Sequence, residues 1–215
     1  MPHANINLFR DYKRLAKLFY EGTVFVAVDT ETTGLSKNNN FLMEIGAVKF
    51  TIDGSLSLYD ELIKPREPIP LPLVHLTGIT PQMVENCPPE EKVLPSFLNY
   101  IGNAVLIAHN APFDIGFLNT TLERMSFSHL KNKVIDTLPL SRWAYPQFGQ
   151  QKKEHPYSLQ SLAQALNIEV KAAHRAHDDA RVCMELFKKI IEDTKSRQVD
   201  YSILKTGSLF DQELF

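Results

Sequence analysis

The chain has 215 residues, 44% of them hydrophobic and 22% charged, with a formal net charge of −2. That length and apolar content suit one α/β domain, or one domain plus a tail, and there is no internal repeat or low-complexity segment. The charge balance argues against a module that holds nucleic acid by charge alone, and does not exclude an enzyme that meets phosphates through bound metal.

Cys87 and Cys183 have no metal or redox spacing and read as reduced packing thiols of a cytoplasmic protein. No apolar run reaches membrane-spanning length and the N-terminus has no signal-peptide pattern, so no membrane partner is expected.

Residues 6–20 carry Leu8, Phe9, Tyr12, Leu15, Leu18 and Phe19 at helical spacing, with basic residues between. This predicts an amphipathic helix, an extension over residues 1–21 that docks on the main domain at 22–195. Residues 23–29 are the first strand, 41–51 the second and 56–63 the third, with Asp53-Gly54 as a hairpin turn, giving an antiparallel meander. Residues 65–72 hold four prolines and read as a surface connection. HLTGITP at 75–81 is a loop leading into a short helix.

A helix at 89–100 precedes a buried strand at 104–108, and Pro112 fits the first turn of a helix that runs to 125. A short strand at 133–135 is followed by Asp136 as the cap of a helix through Trp143. Residues 146–156 are a polar, mobile loop. Ser158 caps a helix to 166, the last long helix lies within 173–193, and 196–215 is a partly ordered tail. A meander followed by strand–helix alternation predicts an α/β fold: a mixed central sheet, antiparallel then parallel, with helices on both faces.

The chemistry starts in VFVAVDTETTGL at 24–35. Positions two apart on a strand share a face, so Asp29 and Glu31 project together from a buried strand. Side by side they repel each other and lose solvation, which a hard cation between them relieves. Asp114 follows a buried strand, where α/β sheets place ligand sites. Asp179 precedes Val182 by three and Leu186 by seven, on the inward stripe of the last helix, while Asp178 points elsewhere. His174 lies a few residues before that helix, within reach of the same place. Four carboxylates and one histidine allow two-metal phosphodiester hydrolysis, with imidazole as the base for the attacking water. His75, His109 and His177 read as ordinary loop or structural histidines.

Three segments resemble one known family. VDTETTG at 28–34, HNAPFDIGFL at 109–118 and HRAHDDA at 174–180 are similar to the motifs of the histidine-containing branch of the DEDD 3′→5′ exonucleases. The match covers about residues 23 to 190, and the chain looks similar to the proofreading subunits of bacterial DNA polymerase III. The resemblance implies an RNase H-like fold and two divalent ions, Mg with Mn able to substitute, held by Asp29, Glu31, Asp114 and Asp179. It implies His174 as general base. It also implies that Thr32 binds the terminal 3′-OH through its backbone, that Leu35 wedges between the last two bases, and that Phe113 and Asn110 hold the strand end.

Thr77 departs from the family, standing where relatives often have histidine. Lys171 and Arg175 flank the third motif as candidates for holding the nucleic-acid backbone. The expected substrate is a frayed or single-stranded DNA 3′ end, in proofreading or repair. The alternatives are the same chemistry on RNA and a non-catalytic nucleic-acid-binding scaffold; the complete set of four acids and a histidine argues against the scaffold. The last five residues, DQELF, look like a sliding-clamp peptide one residue short, so a DNA polymerase or its clamp is a candidate partner.

Overall fold

The computed structural model describes residues 6–20, 22–51, 54, 56–150 and 154–197. Asp53, the tail from residue 198 and the candidate clamp peptide lie outside them. Among the described residues the sheet has five strands: β1 (Phe25–Thr32), β2 (Leu42–Phe50), β3 (Leu56–Leu62), β4 (Val105–Ala108) and β5 (Val134–Asp136). Their order is β3-β2-β1-β4-β5. β1 pairs antiparallel with β2 and parallel with β4, so the meander and the parallel half meet at β1. The helices are α1 (Leu15–Tyr20), α2 (Leu71–Thr77), α3 (Pro81–Val84), α4 (Glu90–Ile101), α5 (Pro112–Arg124), α6 (Thr137–Ala144), α7 (Leu159–Ala165) and α8 (Ala176–Asp193).

Alternation along the strands divides the core in two. Phe25 and Ala27 of β1, with Val48 and Phe50 of β2, face α6, α7 and α8. Val26 and Val28, with Ile45 and Ala47, face α4 and α5. On the first face the rings of Phe25 and Phe50 lie 5.4 Å apart, and the Phe187 ring of α8 is tilted against Phe25 at 5.3 Å. Val182, Leu186 and Ile190 form the buried stripe of α8 that the sequence predicts.

Three expected elements differ; one is the 146–156 loop, whose first part is a 3₁₀ helix at Pro146–Gln150. The predicted N-terminal helix is confined to a 3₁₀ turn at Tyr12–Arg14 and α1. Before it, Phe9 donates its backbone N–H to Val134 O and Val134 donates to Asn7 O, each at 2.8 Å. This segment therefore covers the open edge of β5, and an exposed edge strand outcompetes a marginal helix for the backbone. The proline-rich connection also turns helical sooner than expected. Pro72 sits in the first turn of α2, where its missing N–H costs nothing.

Both predicted caps are present: Asp136 accepts from Leu138 N and Ser158 from Ser161 N. Phe187→Ala is expected to remove about 3–5 kcal/mol of stability, read as a lower urea midpoint with unchanged m-value.

Candidate active site

The inward row of β1 continues past its aromatic part. Phe25, Ala27, Asp29 and Glu31 stand opposite Phe50, Val48, Gly46 and Glu44 of β2. The strand runs through both carboxylates to Thr32, rather than stopping at Asp29, with a register shift between Glu31 and Thr32.

Asp114 lies in the first turn of α5, directly after β4, and is buried. Its Oδ1 accepts from Thr30 N at 2.9 Å and from Thr30 Oγ1 at 2.8 Å. The turn that presents it is tied down from β5, because Asp136 accepts from Asn110 N as well as from Leu138 N, each at 3.0 Å. That contact holds Asn110 in a left-handed backbone conformation, φ 65°.

Asp179 occupies the first turn of α8. Its Oδ2 accepts from His174 N at 3.0 Å, and Gln160 Nε2 lies 3.5 Å from Oδ1. His174 is itself left-handed, φ 62°, a conformation costly for a residue with a Cβ that the Asp179 contact maintains. Glu31, His174 and Asp179 bring ligand atoms within 4.8 Å of one another. Asp29, His174 and Asp179 line one cleft of about 600 Å³ with Asn110. Thr32, Leu35 and Phe113 do not line it. Thr32 is buried and donates its hydroxyl to Gly34 O at 2.7 Å. Leu35 is 87% exposed, and Phe113 packs half-buried on Phe117 with ring centroids 5.0 Å apart.

Several other residues resolve into structural roles. Asp178 is as buried as Asp179 but turns back to its own loop, accepting from Lys171 N and Ala172 N at 2.7 Å each. Arg175 is not free to hold a nucleic-acid backbone: it forks onto Glu44, with Nη2 to Oε1 at 2.6 Å. Thr77 is buried, donating to Leu73 O and accepting from Ile79 N at the end of α2. His109 bonds Thr137 Oγ1 and Tyr157 O, and burial pushes its pKa down to about 4, so it is a neutral structural histidine. Sequence reasoning missed Thr30, Glu44 and Gln160. Of these only Glu44 left a signal, as a charge inside the apolar run FLMEIGAV.

The carboxylates strain against one another. Burial, and then the charges of Asp114, Asp179, Glu31 and Glu44, hold the Asp29 carboxyl well above the usual range. Burial first, with Asp179, Glu44 and Asp114, pushes Glu31 up to about 8. Burial raises Asp114 to about 7 against the opposing hydrogen bonds from Thr30. Asp179 is raised by burial and partly relieved by the His174 N–H. Each neighbour penalises the charged form of the others, while oxygen donors with one imidazole suit a hard divalent cation. The residues present therefore fit a metal.

A family model described as Exonuclease matches residues 26–187. The DNA polymerase III subunit epsilon of Treponema pallidum is 41% identical over 172 residues, covering 80% of this chain and 78% of that protein. A PolC-type DNA polymerase III of Halalkalibacterium halodurans is 40% identical over 177 residues, which are 82% of this chain but only 12% of that much longer protein. Among solved structures, Exonuclease X in complex with 5′ overhanging duplex DNA superposes with a TM-score of 0.60 at 28% identity, covering 80% of this chain and 93% of that one. Escherichia coli Exonuclease I in complex with a dT13 oligonucleotide shares the fold, with a TM-score of 0.69 at 19% identity over 81% of this chain and 42% of that one. The chain belongs to this exonuclease family.

A carboxyl whose pKa is raised by folding keeps a proton that the unfolded chain releases. Raising the pH from about 5 to about 8 therefore removes stability from the metal-free protein. A divalent cation held by the same carboxylates would substitute for those protons. The gain in Tm on replacing EDTA with millimolar MgCl₂ is expected to grow across that pH range, as read by thermal unfolding at each pH.

Proposed function

We propose that this member of the exonuclease family is a metal-dependent 3′→5′ exonuclease, releasing nucleoside monophosphates from single-stranded or frayed DNA 3′ ends in proofreading or repair. The observation that carries the reading is the convergence of Asp29, Glu31, Asp114, Asp179 and His174 from three separate elements and a loop. Asp29, Glu31, Asp114 and Asp179 are the proposed ligands of two divalent ions, Mg with Mn able to substitute. When bound, the ions supply Lewis-acid polarisation of the scissile phosphate and neutralise charge on the departing oxygen. His174 takes the proton of the attacking water as general base. The new bond forms between water oxygen and phosphorus. The bond to the 3′-oxygen of the preceding nucleotide breaks, and that oxygen leaves with the shortened strand.

Strand-end recognition falls to the residues around this centre. Leu35 is an exposed apolar side chain on the loop directly after β1, suited to wedging between the two terminal bases. Thr32 offers its backbone to the terminal 3′-OH, and Asn110 and Phe113 hold the strand end. Such contacts read stacking and backbone rather than base edges, so sequence preference is weak.

Arg142 gives the cleft a cation beyond the acidic end. Its guanidinium sits 5.8 Å from the Tyr157 ring centroid. Tyr157 is itself fixed, its hydroxyl accepting from Gly149 N at 3.0 Å and donating to Tyr145 O at 2.9 Å. Arg142 thus fits a backbone phosphate. A DNA polymerase, which works at the DNA 3′ end to be edited, is the proposed protein partner, with the 211–215 peptide as a contact to its sliding clamp.

The reading is tested by digesting labelled single-stranded DNA, mismatched duplex and RNA with Mg²⁺ or Mn²⁺ and a chelator control. Stepwise release of monophosphates from DNA 3′ ends, abolished by the chelator, is expected; faster degradation of RNA would reassign the substrate. Asp29→Ala is expected to lower the rate by roughly 10³-fold or more while the circular dichroism spectrum is kept; persisting activity would remove the metal assignment. Arg142→Gln is expected to raise KM several-fold with kcat unchanged. It should also flatten the log–log salt dependence of KM by about 0.7, one phosphate contact on a single strand.

A further inference from the structure

Glu44 is fully buried on β2, directly opposite Glu31. Like charges facing each other across a sheet destabilise it unless one is neutralised. Arg175 does this at short range: its Nη2 lies 2.6 Å and its Nε 3.0 Å from Glu44 Oε1. The other carboxylate oxygen accepts the backbone N–H of Ala176 at 2.9 Å.

Ala176 is the first residue of α8, and Arg175 at the N-cap position makes no side-chain cap of its own. Glu44 therefore caps α8 from a different element, with charge favourable to the positive helix end. Two residues further along the same strand face, Gly46 supplies the floor. A Cβ there would fall on the Ala176–His177 peptide, well inside van der Waals contact. The helix end is thus hooked by Glu44 and stopped by Gly46. Gly46 pairs with Asp29 and Glu44 with Glu31, while His174 and Asp179 flank the seated turn.

We infer that Glu44 and Gly46 are positioning residues of the nuclease site: through Arg175 and the first turn of α8 they set the spacing of His174 and Asp179 from Asp29 and Glu31 that admits a divalent cation. The inference rests on the metal-dependent reading above and adds to it the part that sets the ligand geometry.

A competing arrangement exists in the same place. Glu44, Asp60 and His177 also bring ligand atoms within 4.8 Å of one another. In that arrangement Glu44 would be a ligand and not a hook. Its oxygens are already taken by Arg175 and Ala176 N, which favours the hook.

The test measures Mn²⁺ binding by electron paramagnetic resonance, beside Mg²⁺ titrations of DNA hydrolysis. Gly46→Ala must lift the first turn of α8. It is expected to weaken Mn²⁺ binding, and to raise the Mg²⁺ concentration for half-maximal rate, by roughly 10–100-fold. KM for DNA at saturating Mg²⁺ should change less than about 3-fold. Glu44→Gln keeps an acceptor for Ala176 N and should lose less than Glu44→Ala. Arg175→Gln added to Glu44→Ala should cost little more, because the two act as a unit.

Should Gly46→Ala not fold, the Glu44 series decides alone. Folded variants with wild-type Mn²⁺ affinity and Mg²⁺ response would overturn the inference. So would loss of one bound Mn²⁺ per chain in Glu44→Gln at undiminished affinity for the rest. Failure of the nuclease reading itself is distinct, because it would appear as wild-type protein that neither binds Mn²⁺ nor cleaves DNA.

Discussion

Everything around the end of β1 answers one electrostatic conflict. Asp29 and Glu31 extend a strand face whose earlier residues, Phe25 and Ala27, are wholly buried. Asp114 and Asp179 are brought beside them from two helices, and Glu44 lies opposite Glu31. Five carboxyl groups with little water repel one another and lose solvation together. The fold answers part of the conflict with fixed donors: Thr30 for Asp114, the His174 N–H for Asp179, and Arg175 with the Ala176 N–H for Glu44. What remains unanswered, chiefly on Asp29 and Glu31, is the part that the proposed divalent cation would balance.

The topology puts this conflict where it is usable. β1 is the junction between an antiparallel and a parallel half, so its carboxyl end has an antiparallel neighbour, β2, on one side and the β4–α5 turn on the other. Open α/β sheets bind ligands outside the carboxyl ends of parallel strands, and Asp114 arrives by that route. Asp179 arrives from across the sheet face, because α8 packs over Phe25 and Phe50 through Phe187 and seats its first turn on Gly46. The apolar contacts fix the axis of α8; the polar hook at Glu44 fixes where along that axis its first turn begins. Metal-dependent hydrolysis is unforgiving about that last ångström, since ligand geometry sets both affinity and alignment.

Around the acids, the other charged and polar residues are largely committed to holding loops. Asp136 closes the turn that carries Asn110, Asp178 closes the loop before His174, and His109 bridges Thr137 to Tyr157. The surface left for a strand end is accordingly small: an exposed Leu35, a half-buried Phe113, and a cleft with Arg142 and Tyr157 on its wall. Such a surface is suited, on the proposed function, to stacking rather than to reading base edges.

Local pattern determined most of the elements and the chemical core. Alternation over two residues placed Asp29 and Glu31 on one face, helical spacing turned Asp179 inward, and single side chains announced the caps at Asp136 and Ser158. These are interactions between residues close in sequence, and periodicity records them directly. Tertiary structure decided the rest. The partner of Arg175 lies 131 positions away at Glu44, so a residue that looked like a surface cation is spoken for. Gly46 is required by a peptide from α8 that no neighbour in the chain foretells. The helical pattern of residues 6–20 lost its first half because the edge of β5 needed a strand partner. In each case the deciding atoms meet only once the sheet has formed, and side-chain period along the chain carries no record of which distant group will satisfy a buried charge, an open edge or a missing Cβ.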